Sequence, residues 1–181
     1  MEPVIISGIR IVSILNEDST YPALQSNIRR TFPHTNKRQN APAPNVATIK
    51  YTPHLGNASL EIDATVAGSD QPHSVTVLCS KVTFEPQDTP SNVTITTSAG
   101  SEQSLAPIQL ARSNIRVRCT CMDFRFRFAL WNFNDNSLMG EKPPPYVPTS
   151  NRPPVNPLRT PGVCKHIIAT IRSAQQSGIV V

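Results

Sequence analysis

The chain has 181 residues, of which 38% are apolar, 16% charged and 18 are proline; proline stands at about twice its usual share and charge is below ordinary globular usage. This balance excludes a chain built mainly from long solvated helices, and the length suits one substantial domain or a β-rich domain with a small module attached. Seventeen basic against twelve acidic side chains give a formal net charge of +5, which fits a nucleic acid or an acidic protein surface but serves solubility equally well.

The first apolar run, Val4 to Leu15, is rich in Val and Ile and reads as a strand or a pair of strands. Glu2 in place of a basic leader, Arg10 inside the run and its short length argue against a secretion signal or a membrane span. Residues 21–31 suit one short helix, whereas the Asn36-to-Asn45 stretch, with Pro42 and Pro44 beside the basic Lys37-Arg38 pair, reads as a loop or an arm. Asn57-Ala58-Ser59 and Asn92-Val93-Thr94 match the glycosylation pattern by chance in a chain without a leader.

From Val46 the pattern turns to period two, clearest where Leu60, Ile62, Ala64 and Val66 alternate with polar neighbours. Gly68-Ser69-Asp70 turns this strand into a second, Ser74 to Phe84, so 58–84 predicts a β-hairpin. Cys79 lies in phase with Val75 and Val77, which makes it a buried free thiol ahead of a fifth metal ligand or redox group. Val93–Thr97 and Ile108–Cys121 are further strands, giving five to seven in about 120 residues. A mainly β fold follows: an antiparallel β-sandwich or barrel over 1–112 and a metal-binding module over 113–181.

That module rests on Cys119-Thr120-Cys121 and Cys164-Lys165-His166. Alternate residues of a strand point to one side, so a C-x-C pair in extended backbone presents two thiolates to one ion. Three thiolates and one imidazole suit tetrahedral Zn²⁺, with an iron–sulfur cluster as the less fitting alternative. The opposing explanation, three cysteines as small core residues and a surface histidine, does not account for paired spacing on both sides of a loop.

Beyond Cys121 the aromatic phase flips: Phe124, Phe126 and Phe128 alternate with Arg125 and Arg127, as at a β-bulge around a metal. Aromatic and arginine residues so interleaved suit stacking on exposed bases, with Arg116, Arg118, Arg125 and Arg127 on phosphates. They equally suit an apolar core beneath the metal, which a small module needs for itself. Residues 132–162 form a proline-rich insert, with eight of the 18 prolines between 143 and 161. A loop of that length points to an ordered excursion over a partner, and Pro143-Pro144-Pro145-Tyr146 offers a tetrapeptide to a proline-reading domain. Cys164 then opens a helix to about Ser177, with Ile167, Ile168, Ile171 and Ala174 as its buried stripe and a helix N-terminus that favours the Cys164 thiolate.

C-x-C followed at a distance by C-x-H, strands before and a helix after, resembles the SWIM-type zinc finger. The resemblance implies Cys119, Cys121, Cys164 and His166 as zinc ligands, although the proline-rich insert is longer than the family's usual intervening segment. Residues 115–170, from the Arg118-to-Ala129 run through Pro143-Pro144-Pro145-Tyr146 to the Pro161-to-His166 run, are also similar to segments of virion proteins of large tailed bacteriophages. That likeness implies a non-enzymatic subunit of the neck, tail or baseplate, in contact with other virion subunits, assembled in the host cytoplasm and without a membrane partner. The alternative is a nucleic-acid-binding zinc module. No H-x-E, G-x-S-x-G or Walker pattern supports an enzyme, and four protein ligands leave no open position on an ion.

Overall fold

The computed structural model describes residues 19–32, 44–85, 91–97, 100–144, 151 and 154–181. The N-terminal apolar run, the Lys37-Arg38 pair and the Pro145-Tyr146 half of the tetrapeptide lie outside the described residues. Within them run β1 Val46–His54, β2 Ser59–Val66, β3 His73–Ser80, β4 Val93–Thr96, β5 Glu102–Leu105 and β6 Ile115–Cys119. The helices are α1 Tyr21–Thr31, α2 Met122–Arg127, α3 Ala129–Asn134 and α4 Lys165–Gln176.

The sharp alternation of β2 and β3 has the expected result. They form an antiparallel hairpin from Ser59 opposite Ser80 to Val66 opposite His73, flanked by β1 and β6 in a sheet of order β1-β2-β3-β6. Pro53 has no N–H to donate and sits in β1, at the edge of the sheet, where its lack is tolerated. Leu60, Ile62, Val66, Val75, Val77 and Ile115 are wholly or almost wholly buried on one face, each contributing about 1.5–3 kcal/mol relative to exposure. Cys79 shares that face between Leu60 and Ile115 and is fully buried, as expected.

Helix α4 lies across this face and touches β1, β2, β3 and β6. Its Ile167, Ile171 and Ala174 are completely buried, and Gly178, at φ 76°, ends it in a left-handed residue that glycine adopts without strain. The mainly β, antiparallel expectation is met; among the described residues the four-stranded sheet does not close into a barrel, and a helix, α4, covers its buried face. β4 and β5 form a separate two-stranded ribbon. The boundary expected between residues 112 and 113 falls just before β6, yet β6 pairs with β3, and one hydrophobic core contains residues of both halves.

Two further expectations change. The strand predicted over Ile108–Cys121 is confined to Ile115–Cys119, because the backbone turns at Gln109–Ser113 and Ile108 instead bridges Val180 in parallel. The aromatic run after Cys121 is two short helices, not bulged strand. Phe124, Phe128 and Asn132 recur at i, i+4 and i+8 and are all buried, so the period that counts is helical. The segment also satisfies a period of two, and the helical turn wins because Cys121 caps it and Asp123 pairs with Arg127 one turn on, at 3.3 Å.

Helix α1 appears where predicted and closes the far side of the module. Phe32, just past it, meets Phe128 edge-on with ring centroids 6.2 Å apart, and Thr31 and Thr160 share a 2.7 Å hydroxyl hydrogen bond.

Candidate metal centre

Cys119 ends β6, Cys121 caps α2, Cys164 caps α4 and His166 stands in the first turn of α4. The sheet edge and two helix starts thus converge at one end of the fold. The four donor atoms lie within 4.8 Å of one another and all four residues are buried. The Sγ atoms of Cys119 and Cys164 stand 3.8 and 4.0 Å from His166 Nδ1. A tetrahedral ion with Zn–S of about 2.3 Å and Zn–N of about 2.0–2.1 Å separates its ligands by about 3.5–3.8 Å. The set therefore matches one four-coordinate ion with little rearrangement, and Nδ1 is the imidazole nitrogen that faces the sulfurs.

The C-x-C pair reaches its position by a route other than the one its spacing suggests. Cys121 has left the strand, and the turn of backbone at Thr120 carries it onto the end of α2, where its Sγ accepts the Phe124 N–H at 3.3 Å. The Cys119 sulfur accepts the Cys121 N–H at 3.4 Å. Hydrogen bonds from the Cys119 and Cys164 thiols, with the Phe124 N–H, hold Cys121 far below the usual thiol range. Cys119 is pushed up to about 12, first by its bond to Cys121, and burial pushes Cys164 well above its ordinary value. The helix N-terminus was expected to favour a thiolate at Cys164, but burial raises that thiol, and the group that is lowered is Cys121, first by its bond with Cys119 and then by that with Cys164. Metal binding needs all three as thiolates, so an ion would displace protons from Cys119 and Cys164.

Cys79 lies outside this group of four, its thiol pushed up to about 12 by burial. Two of the four arginines are engaged within the fold. Arg118 turns its guanidinium onto the backbone carbonyls of Met139 and Glu141, and Arg127 lies 5.0 Å from the Phe32 ring centroid while pairing with Asp123. Arg125 stacks at 5.4 Å on its neighbour Phe126, and both it and Arg116 are exposed.

Two asparagines, unmarked by any motif, do work the sequence did not reveal. Buried Asn132 donates from Nδ2 to the Gly162 carbonyl at 3.1 Å and accepts the Gly162 N–H at 2.8 Å. Asn156 donates to the carbonyls of Arg127 and Thr160 at 2.9 and 2.8 Å. Together they fasten the returning end of the proline-rich insert to α2 and α3, two residues before Cys164. The only signal for either is a polar residue at a helical step from Phe128 in one case and an isolated Asn among prolines in the other.

Fold and site define a mainly β protein with a buried Cys₃His cluster able to hold a metal ion. No protein-family model, curated protein or solved structure matches the chain, so the likeness to SWIM-type fingers rests on the ligand pattern and on the strand before and helix after it. Among the described residues no helix is long and apolar enough to cross a membrane.

Proposed function

We propose that this chain is a non-enzymatic structural protein in which Cys119, Cys121, Cys164 and His166 hold one structural Zn²⁺. The observation that carries the reading is the convergence of four buried donors within 4.8 Å from three separate elements. An ion there links β6, α2 and α4, and with them both ends of the proline-rich insert. Four protein donors complete a tetrahedral shell and leave no site for a substrate, which supports a structural role over a catalytic one. An iron–sulfur cluster interposes more than one iron among its ligands, so the tight spacing favours a single ion.

The similarity of residues 115–170 to tailed-phage virion proteins supplies the setting: a neck, tail or baseplate subunit whose insert, pinned at its return by Asn132 and Asn156, meets neighbouring subunits. Elemental analysis of the purified chain is expected to find one zinc per chain. Less than about half an equivalent, with no iron, overturns the metal reading. Mass spectrometry and cryo-microscopy of purified particles test the virion role, which falls if the chain is absent from them.

A further inference from the structure

His73 opens β3 on the same inward face as Val75 and Val77 and is buried, with a relative exposure of 7%. Its ring lies against that of His166, centroids 4.5 Å apart and tilted by 51°. Each of these two rings has one nitrogen buried without a hydrogen-bond partner: Nδ1 of His73 and Nε2 of His166. A neutral imidazole carries one donor and one acceptor nitrogen, so two orphaned nitrogens on touching rings are complementary when one bears the proton and the other does not. Metal binding decides which. An ion on His166 Nδ1 leaves the proton on Nε2, and a ligating histidine ordinarily passes that N–H to a neighbouring acceptor that orients the ring.

We propose, resting on the metal reading above, that His73 is the positioning residue of this site. Its Nδ1 accepts the Nε2–H of His166, directly or through one water, and fixes the tautomer that presents Nδ1 to the ion. The His73 ring is itself held from behind: a Cβ on Gly68 would stand 2.7 Å from its Nε2, so the backbone of the β2–β3 turn backs it. His73 is not one of the four residues whose donors converge, which separates orienting a ligand from being one.

Long-range ¹H–¹⁵N spectra of the zinc-loaded full chain read the tautomers without any variant. The expected result is a bare Nδ1 and protonated Nε2 on His73; a proton on His73 Nδ1 overturns the proposal. His73→Phe keeps an aromatic ring and removes the acceptor, and chelator competition is expected to show zinc bound about tenfold or more weakly. His73→Asn, which returns an acceptor near the Nδ1 position, is expected to recover part of that loss. Zinc affinity of His73→Phe within twofold of the parent overturns the proposal, and so does loss of the tetrahedral Co²⁺ absorption bands, which would make His73 a ligand. A parent protein that binds no zinc refutes the metal reading itself and is recognised before any variant is made.

Discussion

Asn132→Ala tests whether the return of the insert is fastened as described. The side chain is fully buried and satisfies both the N–H and the C=O of Gly162, at 2.8 and 3.1 Å. Gly162 is buried too, so neither group gains water when the amide is removed. A buried polar group left without a partner costs about 1–3 kcal/mol, and two are stranded here, so the expected loss is about 2–6 kcal/mol. Against a typical total of about 5–15 kcal/mol this is a large fraction of the stability. Urea unfolding of the zinc-loaded chain, with exposed Asn134→Ala as control, measures it. The control should stay within about 0.5 kcal/mol. Asn132→Asp should be destabilised comparably, because a carboxylate oxygen then faces the Gly162 carbonyl. An Asn132→Ala midpoint within about 0.5 kcal/mol of the parent, at unchanged denaturant slope, would refute the reasoning.

Gly162 is constrained from its other side as well. A Cβ there would lie 2.7 Å from the buried Phe128 ring, so Gly162→Ala is expected to cost about 1–3 kcal/mol by overpacking, and a neutral result in the same unfolding assay would contradict that contact. Zinc binding near neutral pH is expected to release about two protons, from Cys119 and Cys164, whose folded values are raised, while that of Cys121 is lowered; calorimetry in buffers of different ionisation enthalpy counts them, and affinity should rise with pH. Cys79 titrates near 12 when folded against an ordinary value of 9.0, so the folded state holds a proton that the unfolded chain has lost. Its contribution to stability is complete below about pH 9 and declines as pH rises from there toward 12. The decline should be shallower in Cys79→Ala than in the parent, with Tyr21, also raised by burial, contributing the part that remains, and Cys79→Ser, which buries a hydroxyl, should be the less stable of the two at neutral pH.

The β2–β3 hairpin and α4 were legible because burial of one face forces a single period on each. Residues Leu60 to Val66 admit no other register. That Cys119, Cys121, Cys164 and His166 come together was legible for a chemical reason, since paired cysteines and histidine at short spacing have few other uses. The path between the ligands was not. Phe124, Phe126 and Phe128 satisfy a period of two as readily as Phe124 and Phe128 satisfy a helical one, and the local capping hydrogen bond from Phe124 to Cys121 that decides between them goes unannounced, because cysteine is not one of the usual N-cap residues. β1 was faint because an edge strand buries less, and the ribbon partner β5, Glu102–Leu105, alternates too briefly to register. His73, Asn132 and Asn156 act through what lies beside them in space, which no local pattern encodes.

Arg118 has a consequence for behaviour in crowded solution. β6 is a terminal strand of an open sheet, and such a strand ordinarily offers unpaired N–H and C=O groups to any second chain. Here the Ile115 N–H goes to Ser19, the Val117 N–H to Ser137, and the Val117 carbonyl takes the Met139 N–H. The Arg118 guanidinium then grips the carbonyls of Met139 and Glu141 and locks that covering segment in place. The guanidinium whose charge suggested a grip on phosphate is occupied in holding the cover over this edge, which leaves β1 as the edge of the sheet more open to a second strand.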